Sequence, residues 1–265
     1  MSKLFVRITS GLVYVILFVG AILYSQKSFI VLTSVFAAIS IWEFSKLIQF
    51  RTLVTYLFFV AMLFLLYMYP EDIFIKIMLA FTLICSLQLI YQLYVLKTSY
   101  PTKKTYVKVD LSIRYIVFSF GFLILFPFLN GEYNPILLIS ILVIIWVNDS
   151  FAFLVGKNFG KRKLFESISP KKTVEGFIGG LVFSMIAGYI IAINTELFSI
   201  VNWLIISVIT SIIGTVGDLV ESKFKRQANV KDSGKIMPGH GGLLDRLDSL
   251  LLAIPFVYLY IHYII

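Results

Sequence analysis

Residues 222–248 read SKFKRQANVKDSGKIMPGHGGLLDRLD, and their side chains suit chemistry on phosphates. Lys223, Lys225, Arg226, Lys231 and Lys235 share this stretch with Asp232, Asp245 and Asp248, around a Pro238-Gly239-His240-Gly241-Gly242 turn. Lysine and arginine suit phosphate oxygens, and carboxylates suit a hard divalent cation. Apolar runs flank the stretch on both sides, and charge this dense beside a membrane is costly unless it meets ions or water. Both kinds of charge in one place suit a nucleotide with its metal.

A second constellation is WVNDSFAFLVGKNFGKRKLFESISPKKTVEGFIGG, residues 146–180. Asp149 falls about two turns inside an otherwise apolar helix, where a carboxylate is a functional candidate; the plain alternative is a polar contact with Asn148 or a nearby serine. Ser169 through Thr173 read as a helix start, with Pro170 near the first turn and a capping hydroxyl. The free N–H groups of a helix start, beside Lys171 and Lys172, suit phosphate. Asp218 and Glu221 share a helix face at i, i+3, and so do Asp245 and Asp248. If Asp218 faces the latter two, three carboxylates converge at the membrane edge, and a divalent metal would neutralise them. The alternative is helix capping, with Arg246 and Lys225 as ion-pair partners. Glycines in the His240 turn let backbone N–H groups approach a ligand.

The elements that position these residues are membrane helices. The chain has 265 residues, 59% hydrophobic and 14% charged, where soluble domains are nearer half apolar and a quarter charged. Hydropathy predicts an all-α polytopic integral membrane protein with about nine transmembrane helices, near 11–25, 28–47, 53–69, 73–95, 112–129, 133–155, 175–193, 199–217 and 243–263. The first is read as a retained helix rather than a cleaved signal. With nine spans, 21 of the 23 basic residues fall on one side, leaving Lys27 and Lys76 on the other. By the positive-inside rule the N-terminus and both charged stretches are then cytoplasmic. The net charge of +9 is therefore assigned to topology and anionic ligands, and no nucleic-acid partner is expected. Cys85, the single cysteine, reads as a packing residue, and no Cys/His metal spacing exists. The polar segment 97–110 reads as a solvated linker that attracts anionic headgroups. It divides an N-terminal four-helix region (1–110) from a five-helix catalytic region (111–265) with cytoplasmic loops 156–174 and 219–242. Trp42, Tyr69 and Tyr258 read as interface anchors, and His262 as interfacial.

Ser222, Lys225-Arg226, Lys231-Asp232, Gly234, Pro238, His240-Gly241-Gly242, Asp245-Arg246 and Asp248 resemble, in order and spacing, the signature of phosphatidate cytidylyltransferases (CDP-diacylglycerol synthases). An aspartate in the sixth span followed by G-K-x-x-G-K and S-P-K-K-T-x-E-G is similar to the same family. The motifs span 149–248. Met237 stands where the family usually has Leu, Ile or Phe. Phe151 and Phe153 stand where a small residue and often Tyr are usual. The resemblance implies that CTP and phosphatidate condense to CDP-diacylglycerol and pyrophosphate at a bacterial cytoplasmic membrane, with the site facing the cytoplasm. It implies catalytic roles for Asp218, Asp245, Lys225 and Arg226. Asp218, Asp245 and Asp248 would hold Mg²⁺, with a second cation left open. Lys225, Arg226 and Lys231 would neutralise the triphosphate and the leaving pyrophosphate, and Lys171 and Lys172 would hold phosphates from the other loop. Ser222 and the His240-Gly241-Gly242 turn would position the nucleotide, and Asp149 would contact metal or nucleotide. Partners are then CTP, phosphatidate and membrane lipids, with a homodimer left open.

Two rivals remain. A CTP-dependent polyprenol kinase would transfer the γ-phosphoryl group to an alcohol. A transporter would line a transmembrane route with acids, yet ten of the fourteen acids lie on or near the cytoplasmic side and Glu71, Asp72, Glu132 and Glu196 near the other. The D-G-x-x-A-R run of CDP-alcohol phosphotransferases is absent.

Overall fold

Helices form on each of the predicted apolar stretches in the computed structural model, which describes residues 3–68, 72–96, 99–129 and 131–265. Tyr69, Glu71 and Lys97 lie outside the described residues. The helices are α1 (Lys3–Tyr24), α2 (Gln26–Leu47), α3 (Thr52–Met68) and α4 (Asp72–Tyr91), the last running into a π-helical turn at Gln92–Leu96. Next come α5 (Thr105–Leu111), a π-helical turn (Ser112–Val117) and α6 (Phe118–Leu125), which together make one apolar rod from Thr105 to Phe128. Then follow α7 (Pro135–Phe159), α8 (Val174–Asn194), α9 (Ile200–Gln227) and α10 (Leu244–Tyr263). Among the described residues seven helices are long and apolar enough to cross a membrane, and Thr52–Met68 is a shorter apolar one. The chain is an all-α polytopic integral membrane protein.

Helix α10 lies at the centre. Leu247, Leu250, Leu251, Leu252, Ile254 and Val257 are all buried, and a helix apolar on every face belongs inside the protein. Small residues let its neighbours close in. A Cβ on Gly217 of α9 would stand 2.7 Å from the Asp248 carbonyl of α10. A Cβ on Gly176 of α8 would stand 2.6 Å from the Ala152 carbonyl of α7. The first contact draws together the helices that carry Asp218 and Asp248, and the second packs α8 against α7, which carries Asp149.

Three expectations change. Helix α9 does not end near 217 but continues to Gln227, so residues 219–227 are helix rather than loop. Asp218, Glu221 and Lys225 share one face while Lys223 points away to the Gln92 carbonyl and the Tyr100 ring, and hydropathy alone mistakes so charged a stretch for a loop. Ser169–Thr173 is not a helix start but a strand, β2, paired antiparallel with β1 (Lys163–Phe165). The residue before a proline prefers extended backbone, so Ser169-Pro170 suits a strand. Thr173 alone caps α8, its hydroxyl accepting the Gly176 N–H at 3.1 Å. The described part of the polar segment, 99–110, is no simple solvated linker either. Tyr100 is buried against Phe224 of α9, and its backbone exchanges two hydrogen bonds with the Gln227 amide.

Candidate functional site

The end of α9 sets out Asp218, Glu221, Ser222 and Lys225 along one helical stripe. Asp218 accepts from the Ser222 hydroxyl at 3.1 Å and forms an ion pair of 2.6 Å with Lys172 of β2. The hairpin thus delivers a lysine from a neighbouring segment to α9. Lys225 is nearly buried between two acids. Its ammonium donates to Glu221 and, at 2.6 Å, to Oδ1 of Asp245. One cation serves two carboxylates there, and Oε1 of Glu221 is left without a partner.

Lys172, Asp218, Lys225 and Asp245 line one cavity of about 870 Å³. Its lining includes Asp149, Lys171, Lys172, Asp218, Lys225, His240, Asp245, Arg246 and Asp248. Its lining also includes the apolar side chains of Leu142, Ile145, Trp146, Phe153, Phe177 and Leu250. Lys172 is held above the usual lysine range: burial pulls it down, but the hydrogen-bonded Asp218 carboxylate, with Asp149 and Asp248 behind it, outweighs that pull. Asp149 also meets its plainer reading, accepting from the Asn148 amide at 3.3 Å.

Other predicted residues stand elsewhere. Ser222 reaches the cavity only through Asp218. Arg226 turns away to donate to the carbonyls of Ile168 at 3.2 Å and Val230 at 3.1 Å, clamping two connecting segments together. Lys231 and Gly241 line a second cavity of about 530 Å³ with Arg7, Lys235 and Arg246. Gly242 gives its N–H to Oδ2 of Asp245 at 2.7 Å.

Among the described residues no group of three or more His, Cys, Asp or Glu side chains is gathered for a metal ion. Asp218, Asp245 and Asp248 all line the cavity, but Asp245 is committed to protein partners. Its Oδ1 meets Lys225, while its Oδ2 accepts from the Gly242 N–H and from the Ser233 N–H at 2.9 Å. Asp218 and Asp248 are the less committed pair, Asp218 taking the Ser222 hydroxyl and Lys172, and Asp248 the Ser249 N–H. Mg²⁺ in nucleotide sites takes one or two carboxylates plus phosphate oxygens and water, so the donor chemistry fits.

Helices α1 and α2 add residues that the sequence analysis did not single out. Arg7 Nε donates to the Gly239 carbonyl at 2.8 Å. The Ser10 hydroxyl lies 2.7 Å from His240 Nδ1 and donates to the Pro238 carbonyl at 2.9 Å. Helix α1 therefore grips the glycine turn. His240 sits below the ordinary histidine value because of burial and the cations Arg246 and Arg7. Glu43 of α2 is fully buried beneath the same turn.

Comparison with known proteins adds three findings. A model described as the Cytidylyltransferase family matches residues 5–264. A protein of Bacillus subtilis named phosphatidate cytidylyltransferase is 51% identical over 117 residues, 44% of each chain. One of the same name from Staphylococcus saprophyticus is 46% identical over 147 residues, 55% of each chain. The chain thus spans about half the length of the curated relatives it matches.

Proposed function

Because this chain belongs to the cytidylyltransferase family, we propose that it transfers the cytidylyl group of CTP to phosphatidate, giving CDP-diacylglycerol and pyrophosphate. One observation carries the reading: charged side chains and large apolar ones line the same cavity. A lipid phosphate can meet a nucleotide beside the charged side chains while its acyl chains stay against Leu142, Ile145, Trp146 and Phe153.

A phosphate oxygen of phosphatidate attacks the α-phosphorus of CTP. The bond from that phosphorus to the oxygen leading to the β-phosphorus breaks, and pyrophosphate departs with the bridging oxygen. The attacking phosphate is already anionic and needs no strong base, so placement and charge neutralisation carry the work. Lys171 and Lys172 of β2 and Arg246 of α10 offer cations to the phosphates. Lys225 has its charge divided between Glu221 and Asp245, so it holds the acidic cluster in shape. Asp218 and Asp248 would hold Mg²⁺, which when bound neutralises phosphate charge and polarises the α-phosphorus. Ser222 orients Asp218, and the His240 turn bounds the nucleotide side of the cavity. The apolar walls exclude water from the reacting phosphates.

The proposed setting is a bacterial cytoplasmic membrane crossed nine times, with the N-terminus and the site on the cytoplasmic side. The split of basic residues, 21 against two, supports that orientation. CTP labelled at the α-phosphate, given to purified protein with phosphatidate, tests the reaction. Label should enter the lipid with release of pyrophosphate. Label left in soluble CDP, with an alcohol phosphorylated instead, would make the protein a polyprenol kinase.

A further inference from the structure

We infer that Glu43, on α2, is a positioning residue for this reaction: it caps α10 from outside and sets Asp248 in register with Asp218. The inference rests on the reading of the site given above.

Helix α10 begins without a cap of its own. Leu243 occupies the capping position and has no side chain to accept the first N–H groups, which need acceptors when buried. Glu43 supplies them. Its Oε1 accepts from Leu243 N–H at 3.2 Å and its Oε2 from Leu244 N–H at 2.8 Å. The Ser233 hydroxyl lies 3.2 Å from the same Oε2 and 3.0 Å from Oδ2 of Asp245, so one side chain bridges the two acids.

No Lys, Arg or His forms an ion pair with Glu43 among the described residues. A carboxylate buried without a cation is strongly destabilising unless N–H donors surround it. A helix N-terminus provides those donors and a favourable dipole. The backbone is shaped around the group. A Cβ on Gly234 would stand 2.0 Å from Oε1, and one on Gly242 would stand 2.6 Å from both oxygens. Two glycines of the motif stretch therefore have a steric reason that involves no ligand.

The other end of the linkage is aromatic. Phe44, beside Glu43, packs edge-on against Phe224 of α9 at 5.2 Å and Tyr115 at 5.5 Å. Phe224 is the neighbour of Lys225. Helix α2 is thereby referenced to α9, which bears Asp218, while its carboxylate fixes the start of α10, one turn before Asp248. A shift in α2 would move one aspartate relative to the other.

The test is a double-mutant cycle with Glu43→Ala and Gly234→Ala, together with the isosteric Glu43→Gln, each purified as folded protein and assayed for kcat and CTP KM. Glu43→Gln should raise the CTP KM about ten- to a hundredfold while remaining folded, the usual scale for a group that orients others. Gly234→Ala should harm the native protein yet add little to Glu43→Ala, since its clash is with the carboxylate. Native kcat and KM in folded Glu43→Gln would overturn the inference. So would simple additivity in the cycle, or failure of Glu43→Gln to fold, which would make Glu43 a stability residue alone. If the unmutated protein moves no cytidylyl group, the functional reading fails separately. Glu43 is then scored by the rise in unfolding temperature on adding CTP, which Glu43→Gln should reduce.

Discussion

Lys172 and Asp218 form a 2.6 Å ion pair that ties the β1–β2 hairpin to α9, and each side chain is about two-thirds covered. The pair places in the cavity lining groups that can exchange a protein partner for a phosphate or a cation. Asp218→Asn should reduce CTP-dependent turnover by at least about a hundredfold, and Lys172→Met by a comparable factor, the scale for removing one charge-stabilising group. Both proteins should still be recovered folded from membranes. Lys172 is held above its ordinary 10.5, so the stability of its pair is fully present below that value and is lost only as pH rises through the folded value. No alkaline loss of the pair is expected near neutrality. Activity close to normal in Asp218→Asn would refute the metal assignment.

A contrast separates the acids. Asp248→Asn removes a carboxylate that faces the cavity and should raise the Mg²⁺ concentration needed for half activity. Asp245→Asn removes the acceptor of Lys225, Ser233 and Gly242, and should lower the unfolding temperature as well as the rate. Metal titration and thermal unfolding of the two variants, side by side, check this division.

The grip of α1 on the turn depends on pH. Burial, Arg246 and Arg7 lower His240 from the ordinary 6.5, so the folded protein binds its proton less readily than the unfolded chain. That contribution to stability is complete above about 6.5 and is lost as pH falls through it toward the lower folded value. Unfolding temperature measured between about pH 5 and pH 8 should fall on the acid side, and His240→Gln should flatten the curve. An unchanged slope in the variant would remove His240 from the account.

Close packing at the centre gives a paired test. Gly217→Ala puts a methyl 2.7 Å from the Asp248 carbonyl and 2.9 Å from Leu252 Cβ, and should cost about 1–3 kcal/mol. Gly20, on α1, has nothing within 4 Å, so Gly20→Ala should be neutral or stabilising by up to about 1 kcal/mol. Thermal unfolding in one detergent compares them directly.

The helical membrane architecture was readable because unbroken apolar runs leave the backbone no other way to satisfy its hydrogen bonds in lipid. Asp149, Lys172, Asp218, Asp245 and Asp248 were readable as site candidates from charge type and spacing beside those runs, and they line one cavity. What spacing could not reveal is which partner each charge takes. Arg226 looks like a phosphate ligand until the carbonyls of Ile168 and Val230 are seen beside it. Asp245 lines the cavity but is taken up by Lys225, Ser233 and Gly242, partners whose places depend on the turn. Glu43 did leave a signal, an acid among apolar neighbours next to Phe44, but it was counted as one more cytoplasmic charge. The grip of Arg7 and Ser10 on residues over 220 positions away left none.

Helix α9 runs unbroken through residue 227, so its acids and its lysine are fixed to a single rigid shaft. Inserting one residue just ahead of Asp218 would not loosen a loop. It would swing that acid, Ser222 and Lys225 together by about 100° around the axis, away from β2 and α10 at once.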